Sequence, residues 1–219
     1  MQNQILDEDR GGDTDVAAAL ARQRLAKLGA EYTTEIRRLL DAGLDVMRRC
    51  GTTSRPRVAD IVAAAGLSND AFYRHFPSKE ALVAAIIEDG SARLASYLTH
   101  QMAKPSTPQD KVRCWVDGLM SQAADDDLAA TTLAVLWNGA TVGGNGGATR
   151  PSTTAPLATL LEEPFSLLGS ADPEADAALA AHAAVGMLSD YLWHRVRPTR
   201  AQIDHVAEFC LRAIRSERQ

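Results

Sequence analysis

Residues 57–82 read RVADIVAAAGLSNDAFYRHFPSKEAL, and this stretch decides the fold. Val58, Ile61, Val62 and Ala65 recur at helical spacing and predict a short helix with one apolar side. Gly66 follows where the chain must turn, since a residue without Cβ can adopt backbone conformations closed to others. Leu67 fills the corner, and Ser68 is a good N-cap for a second helix. In that helix Phe72 and Phe76 lie one turn apart and face inward, which leaves Asn69, Asp70, Tyr73 and Arg74 outward. Two short helices about a tight turn, the second presenting polar side chains, suit entry into a DNA major groove.

The residues that follow extend this reading. Pro77 stops the second helix, Ser78 can cap a third, and Lys79 then falls in that helix's first turn. A cation there opposes the helix dipole by a few tenths of a kcal/mol, roughly, and a bound phosphate would reverse the sign. Lys79 therefore reads as part of a small anion site beside Tyr73 and Arg74, or as a solvated lysine.

The order and spacing of Ala65-Gly66-Leu67-Ser68, Phe72-Tyr73, His75-Phe76, Ser78-Lys79 and Leu82 resemble the DNA-binding signature of the TetR family of bacterial transcriptional regulators. The resemblance covers roughly residues 35–87. It implies an all-α homodimer with an N-terminal three-helix head, carrying the helix-turn-helix, and a larger C-terminal ligand-binding and dimerisation body. Three positions depart from the family pattern: Arg57, where a small hydroxyl residue usually caps the helix, Val62 in place of alanine, and Asp70 in place of a small residue. Asp70 is unfavourable near phosphates unless it accepts from a cytosine amino group.

The net charge of −5 by itself argues against a nucleic-acid binder, but the charge is unevenly spread. Residues 1–16 carry a net −4 and residues 83–219 a net −5, whereas residues 17–82 carry eleven basic against seven acidic groups, a net +4. The basic balance coincides with the motif. With 46% hydrophobic residues in 219, the chain can bury a substantial core, and 5% aromatic content with abundant Ala and Leu favours helices over sheets.

Upstream, residues 1–13 are polar and acidic with a Gly11-Gly12 break, and disorder is expected there. Asp15 to Leu28 reads as a short accessory helix ending at Gly29, whose Arg22, Arg24 and Lys27 form a basic face, either solvated or reaching DNA. From Glu31 to Cys50 runs the head's first helix, with Ile36, Leu39, Leu40, Leu44 and Met47 as its apolar stripe and Gly51 closing it. Thr53, Ser54, Arg55 and Arg57 lie just ahead of the motif, where phosphate contacts are natural, and Ser54 could also cap the next helix. The chain thus divides into an N-terminal extension at 1–30, a DNA-binding domain at 31–82 and a ligand-binding and dimerisation domain at 83–219.

Downstream, a long helix from Ser78 to about Ala103 bridges head and body, and KPSTP at 104–108 breaks it. Helices are expected over 110–124, 128–138, 156–168, 173–195 and 199 onward, with a Gly/Ser/Thr-rich loop at 139–154. That loop is no phosphate loop, lacking the Lys-Ser/Thr pair and a preceding strand. Asp125-Asp126-Asp127 reads as a helix end and N-cap, because adjacent carboxylates point apart on a helix. Small residues fill 175–186, so this helix can approach another closely, either within its own subunit or, together with the last helix, against their symmetry mates as a four-helix dimer interface.

In the body, Trp115, Met120, Trp137, Phe165, His182, Met187 and Trp193 are candidates to line an apolar cavity, His182 being the most informative polar one. Cys50, Cys114 and Cys210 have neither zinc-ligand nor redox spacing and read as reduced, mostly buried small hydrophobes. No nucleophile elbow, HExxH or glycine fingerprint appears, so neither catalysis nor a metal or cofactor is expected. No apolar run approaches a membrane span and no signal peptide is evident, which points to a cytoplasmic protein.

These observations lead to a sequence-specific DNA-binding regulator, a repressor released from a pseudo-palindromic operator in double-stranded DNA by a small hydrophobic effector. Tyr73, Arg74, Lys79, Thr53 and Arg57 are the expected phosphate contacts and Asn69 and Asp70 the base readers, with Ser68 and His75 completing the candidate surface. The alternatives are a ligand-independent DNA-binding protein and a helical protein-interaction module.

Overall fold

The computed structural model describes residues 11–140 and 153–214. Among these residues the chain is helical throughout: α1 (Gly11–Cys50), α2 (Val58–Ala65), α3 (Asn69–His75), α4 (Lys79–Met102), α5 (Pro108–Met120), α6 (Asp126–Gly139), α7 (Ala155–Leu167), α8 (Pro173–His194) and α9 (Arg200–Ala213). A single 3-10 turn, Ser121–Ala123, joins α5 to α6. Of the disorder expected over residues 1–13, residues 1–10 lie outside the described residues, as does the body of the Gly/Ser/Thr-rich loop, whereas 11–13 are helical and open α1.

Local capping sets most of these boundaries. Ser68, Ser78, Thr107, Asp125 and Asp172 each accept a hydrogen bond from the backbone N–H three residues on, so each helix start has one orphan donor satisfied. Thr199 and Gln202 form a reciprocal capping box at α9. Two sequence expectations fail here. The accessory helix does not stop at Gly29 but is continuous with the head's first helix, a 40-residue α1. A lone glycine costs a helix interior only about 1 kcal/mol, and no proline or cap follows this one. Ser54 does not cap α2, whose N-cap is Arg57 without a side-chain cap bond.

Buried side chains form two clusters. In the head, α1 contributes Leu39, Val46 and Met47, α2 contributes Ile61, Val62 and Ala65, α3 contributes Phe72, and α4 contributes Leu82, Val83, Ile86 and Ile87. In the body, Trp115, Val116, Leu119 and Met120 of α5 meet Leu161 and Phe165 of α7, Ala180, Ala181 and Ala184 of α8 and Cys210 of α9, with Leu98 and Met102 of α4. Helix α4 therefore has its first half in one cluster and its last turns in the other, and α6 adds Ala134 to the head cluster and Leu133 to the body cluster.

Glycines permit the closest helix crossings. A Cβ on Gly43 would come 2.8 Å from Ile86 Cδ1, and one on Gly118 would come 2.5 Å from Leu98 Cδ2. On the head's surface, Asp89 of α4 receives Arg37 at 3.0 Å and Arg93 at 2.5 Å. Partial burial opposes its ionisation, but these hydrogen bonds prevail and hold the carboxyl below its ordinary range.

Candidate nucleic-acid interface

The turn between α2 and α3 is built by Gly66, which adopts φ 62°, ψ 39°, the left-handed conformation that glycine takes most readily. Leu67 N–H donates to Val62 O at 2.9 Å, and Arg38 Nη2 of α1 donates to Gly66 O at 3.2 Å, fixing the corner against the head. Beyond the turn, α3 divides by side. Ala71 and Phe72 are buried, Phe76 at the helix end is buried too, and the Phe72 and Phe76 rings lie 6.0 Å apart. Asn69, Asp70, Tyr73 and Arg74 are exposed, with Tyr73 at 57%. Burial of the two phenylalanines thus sets which side chains of this short helix remain free for a partner.

The remaining candidates sort around this face. Ser68 is exposed, with its hydroxyl oxygen accepting from Ala71 N–H. Thr53 and Arg57 are exposed ahead of α2, and Thr53 Oγ1 donates to Cys50 O. Arg55, between them, is exposed as well. Lys79 occupies the first position of α4, its side chain 28% exposed and its Nζ 3.8 Å from Glu80 Oε1.

His75 departs from the expected surface. Its side chain is fully buried, Nε2 lies 2.6 Å from Glu35 Oε2 of α1, and its ring packs against Tyr32 at 4.3 Å between centroids. The residue ties α3 to α1 instead of facing outward. Glu35 is held below the usual carboxylate value chiefly by this hydrogen bond, with Arg74 and Arg38 adding positive potential. Nothing in the local sequence marks Glu35 as the partner, because the two residues are 40 apart in the chain.

The body candidates are dispersed. Trp115, Met120 and Phe165 have no exposed surface, and Trp115 Nε1 donates to Leu157 O at 3.0 Å, so the tryptophan is a satisfied core residue. Trp137 is half-buried against the 46% exposed Trp193, their rings 5.9 Å apart. His182, expected among cavity-lining groups, is exposed on α8 with Nδ1 2.7 Å from Ala178 O, and Met187 is exposed on the same helix. A cleft between head and body is lined by other residues, Arg48, Leu133, Leu192, Arg195 and Arg197 among them, and by none of these candidates. Burial raises the Cys114 thiol and pushes Cys210 up to about 11, against thiolate reactivity at either. Among the described residues no cluster of His, Cys, Asp or Glu could hold a metal, and no helix is long and apolar enough to cross a membrane.

An all-helical chain whose short α3 turns a polar face outward from a glycine-cornered helix pair is a helix-turn-helix DNA-binding protein. Residues 39–86 match the family model described as bacterial regulatory proteins, tetR family, so the head carries the DNA-binding domain of that family of transcriptional regulators. The chain's architecture is shared over most of its length. A putative TetR-family regulator from Mesorhizobium loti superposes with a TM-score of 0.61 at 16% identity, covering 84% of this chain and 96% of that one. For a TetR regulator from Rhodococcus sp. RHA1 the TM-score is 0.60 at 18% identity, with 84% and 96% covered. For FadR from Bacillus subtilis, solved in complex with stearoyl-CoA, it is 0.55 at 15% identity, with 84% and 99% covered. No curated protein is similar enough in sequence to count as a match.

Proposed function

We propose that this regulator is a cytoplasmic, homodimeric repressor that binds a pseudo-palindromic operator and leaves it when a small, largely apolar effector binds. The observation that carries the reading is the division of α3: Phe72 and Phe76 lie in the core while Asn69, Asp70, Tyr73 and Arg74 stand in solvent beside Lys79. In this reading Tyr73, Arg74, Lys79, Thr53 and Arg57 hold phosphates, and Asn69 and Asp70 meet base edges. Residues 31–82 act as the DNA-binding domain and residues 83–219 as the sensing and dimerising one.

Dimerisation is supported by the outer sides of α8 and α9. Leu179 is 70% exposed and Phe209 55%, large values for apolar side chains, and a Cβ on Gly186 would meet nothing within 4 Å. A second copy packed across α8 and α9 would cover these residues. An apolar effector is in keeping with FadR of Bacillus subtilis, solved with stearoyl-CoA. Because α4 runs from the head core to the body core, a change in the body would be felt at the head.

The test is titration of the protein against DNA upstream of its own gene at two salt concentrations with a scrambled competitor. Specific binding with a steep salt dependence is expected. No binding would overturn the operator reading and leave a protein-interaction module in its place.

A further inference from the structure

A cleft of about 280 Å³ opens where the head meets the body. One wall is the end of α1 with Arg48, followed by Gly51 and Thr52; the other is α6 together with the end of α8 and the segment 195–197. Its buried lining is apolar, with Leu133, Ala134 and Leu192 at 6%, 1% and 2% exposure. Its exposed lining carries three guanidinium groups, Arg48, Arg195 and Arg197, against one carboxylate, Asp126. Such a lining is matched by a molecule with an apolar body and a negative head group.

The cations are not equivalent. Arg48 Nη2 lies 2.6 Å from Asp127 Oδ1 and so joins the head to α6, while Arg197 pairs with Asp126 at 2.5 Å. Arg195 makes no ion pair with any described residue. It is also the one non-glycine residue with positive φ among the described residues, at φ 54°, ψ 41°. Its N–H donates to Leu192 O, and Val196 N–H donates to Tyr191 O, the pattern of a helix C-terminus that glycine or asparagine would complete with less strain. An exposed arginine held there does nothing for the turn, and strain of this kind gathers where ligands are met.

We propose that this cleft is an effector site for a small amphipathic anion, an aromatic or branched hydrocarbon bearing one carboxylate or sulfonate. The proposal deepens the ligand-controlled regulation argued above and rests on it. The anionic group lies against Arg195 and draws Arg48 away from Asp127, while the apolar part lies on Leu133 and Leu192. Exchange of Arg48 between partners loosens the tie between α1 and α6, and the head can turn relative to the body. In a dimer that turn changes the separation of the two α3 helices and weakens operator binding. The volume is at the small end for ligand pockets, which favours a compact acid over a long acyl thioester.

The test uses the full chain and two probes that differ by one sulfonate group, 8-anilinonaphthalene-1-sulfonate and the neutral N-phenyl-1-naphthylamine, read by fluorescence. The sulfonate is expected to bind one site per chain, and the neutral probe roughly tenfold more weakly or worse. Ala130→Phe, which fills the cleft from an exposed position, should weaken the sulfonate by roughly tenfold or more. Arg195→Gly should weaken it by about tenfold while raising Tm, a split that a purely structural arginine would not produce. In the same solutions the sulfonate should reduce operator affinity about fivefold or more for the wild type and not for Ala130→Phe. Equal sulfonate affinity in wild type and Ala130→Phe, or equal affinity for both probes, would overturn the site. An occupied cleft with unchanged operator affinity would overturn its regulatory role. Failure of the operator reading shows separately, as absent DNA binding without any probe.

Discussion

The His75 side chain of α3 is wholly buried with Nε2 2.6 Å from Glu35 Oε2 of α1, so the helix that carries the exposed polar side chains Asn69, Asp70, Tyr73 and Arg74 is anchored by one of its own polar residues. Glu35 is held below the ordinary carboxylate value in the folded protein, chiefly by this hydrogen bond. An unfolded chain keeps the proton at pH values where the folded one has released it. The stabilisation is therefore complete above the ordinary carboxylate range and is lost as pH falls through the folded value. Glu35→Gln should be less stable than wild type at neutral pH, and the two should converge in chemical denaturation as the pH falls below the ordinary carboxylate range. A gap that stays constant with pH would show that the ion does not contribute.

Replacing Arg74 and Lys79 together by alanine should abolish operator binding and leave the dimer intact, since both side chains are at the surface and neither is part of the apolar core. At low salt, where residual binding is measurable, the slope of log affinity against log salt should fall by roughly two. Tight binding by this variant at physiological salt would refute the contact assignment.

Gly66→Ala places a side chain at φ 62°, with its Cβ 2.8 Å from Arg38 Nη2. The arginine can swing away, so the left-handed backbone dominates and the loss should be about 1–2 kcal/mol in denaturant melts. Gly66→Asn should lose less, because asparagine tolerates this conformation better.

Gly118→Ala sets helix propensity against packing. Alanine gains about 1 kcal/mol of propensity within α5, but its Cβ would come 2.5 Å from Leu98 Cδ2, and Leu98 is itself fully buried. Overpacking of this kind costs about 1–3 kcal/mol, so the variant should melt at lower temperature than wild type.

Phe209→Glu tests the dimer surface. The side chain is 55% exposed in the single chain, so the substitution should leave the fold of one subunit intact. Sedimentation should show monomers, and operator affinity should drop because two half-sites can no longer be gripped at once. A stable dimer carrying this change would place the interface elsewhere.

The motif and most helix boundaries were legible in the chain because their causes are local. Ser68, Ser78, Asp125, Asp172 and Thr199 each satisfy a backbone donor three residues away, and Phe72 and Phe76 share a side of one helix by their spacing. Gly29 misled for the complementary reason. A glycine weakens a helix without ending it, and whether the strand of residues beyond it stays helical depends on what surrounds it.

The sequence by itself determined that the chain is helical, that its basic charge gathers around the 57–82 motif, and which face of α3 is polar, all set by interactions within a turn or two of helix. Only the tertiary structure decided that His75 turns inward to Glu35, that Arg48 reaches Asp127 across 79 residues, and that three arginines border an apolar cleft beside α6. Those relationships depend on the crossings of α1, α4 and α6 and on the close approaches permitted at Gly43 and Gly139, and a distance between helices is carried by packing that no local spacing encodes.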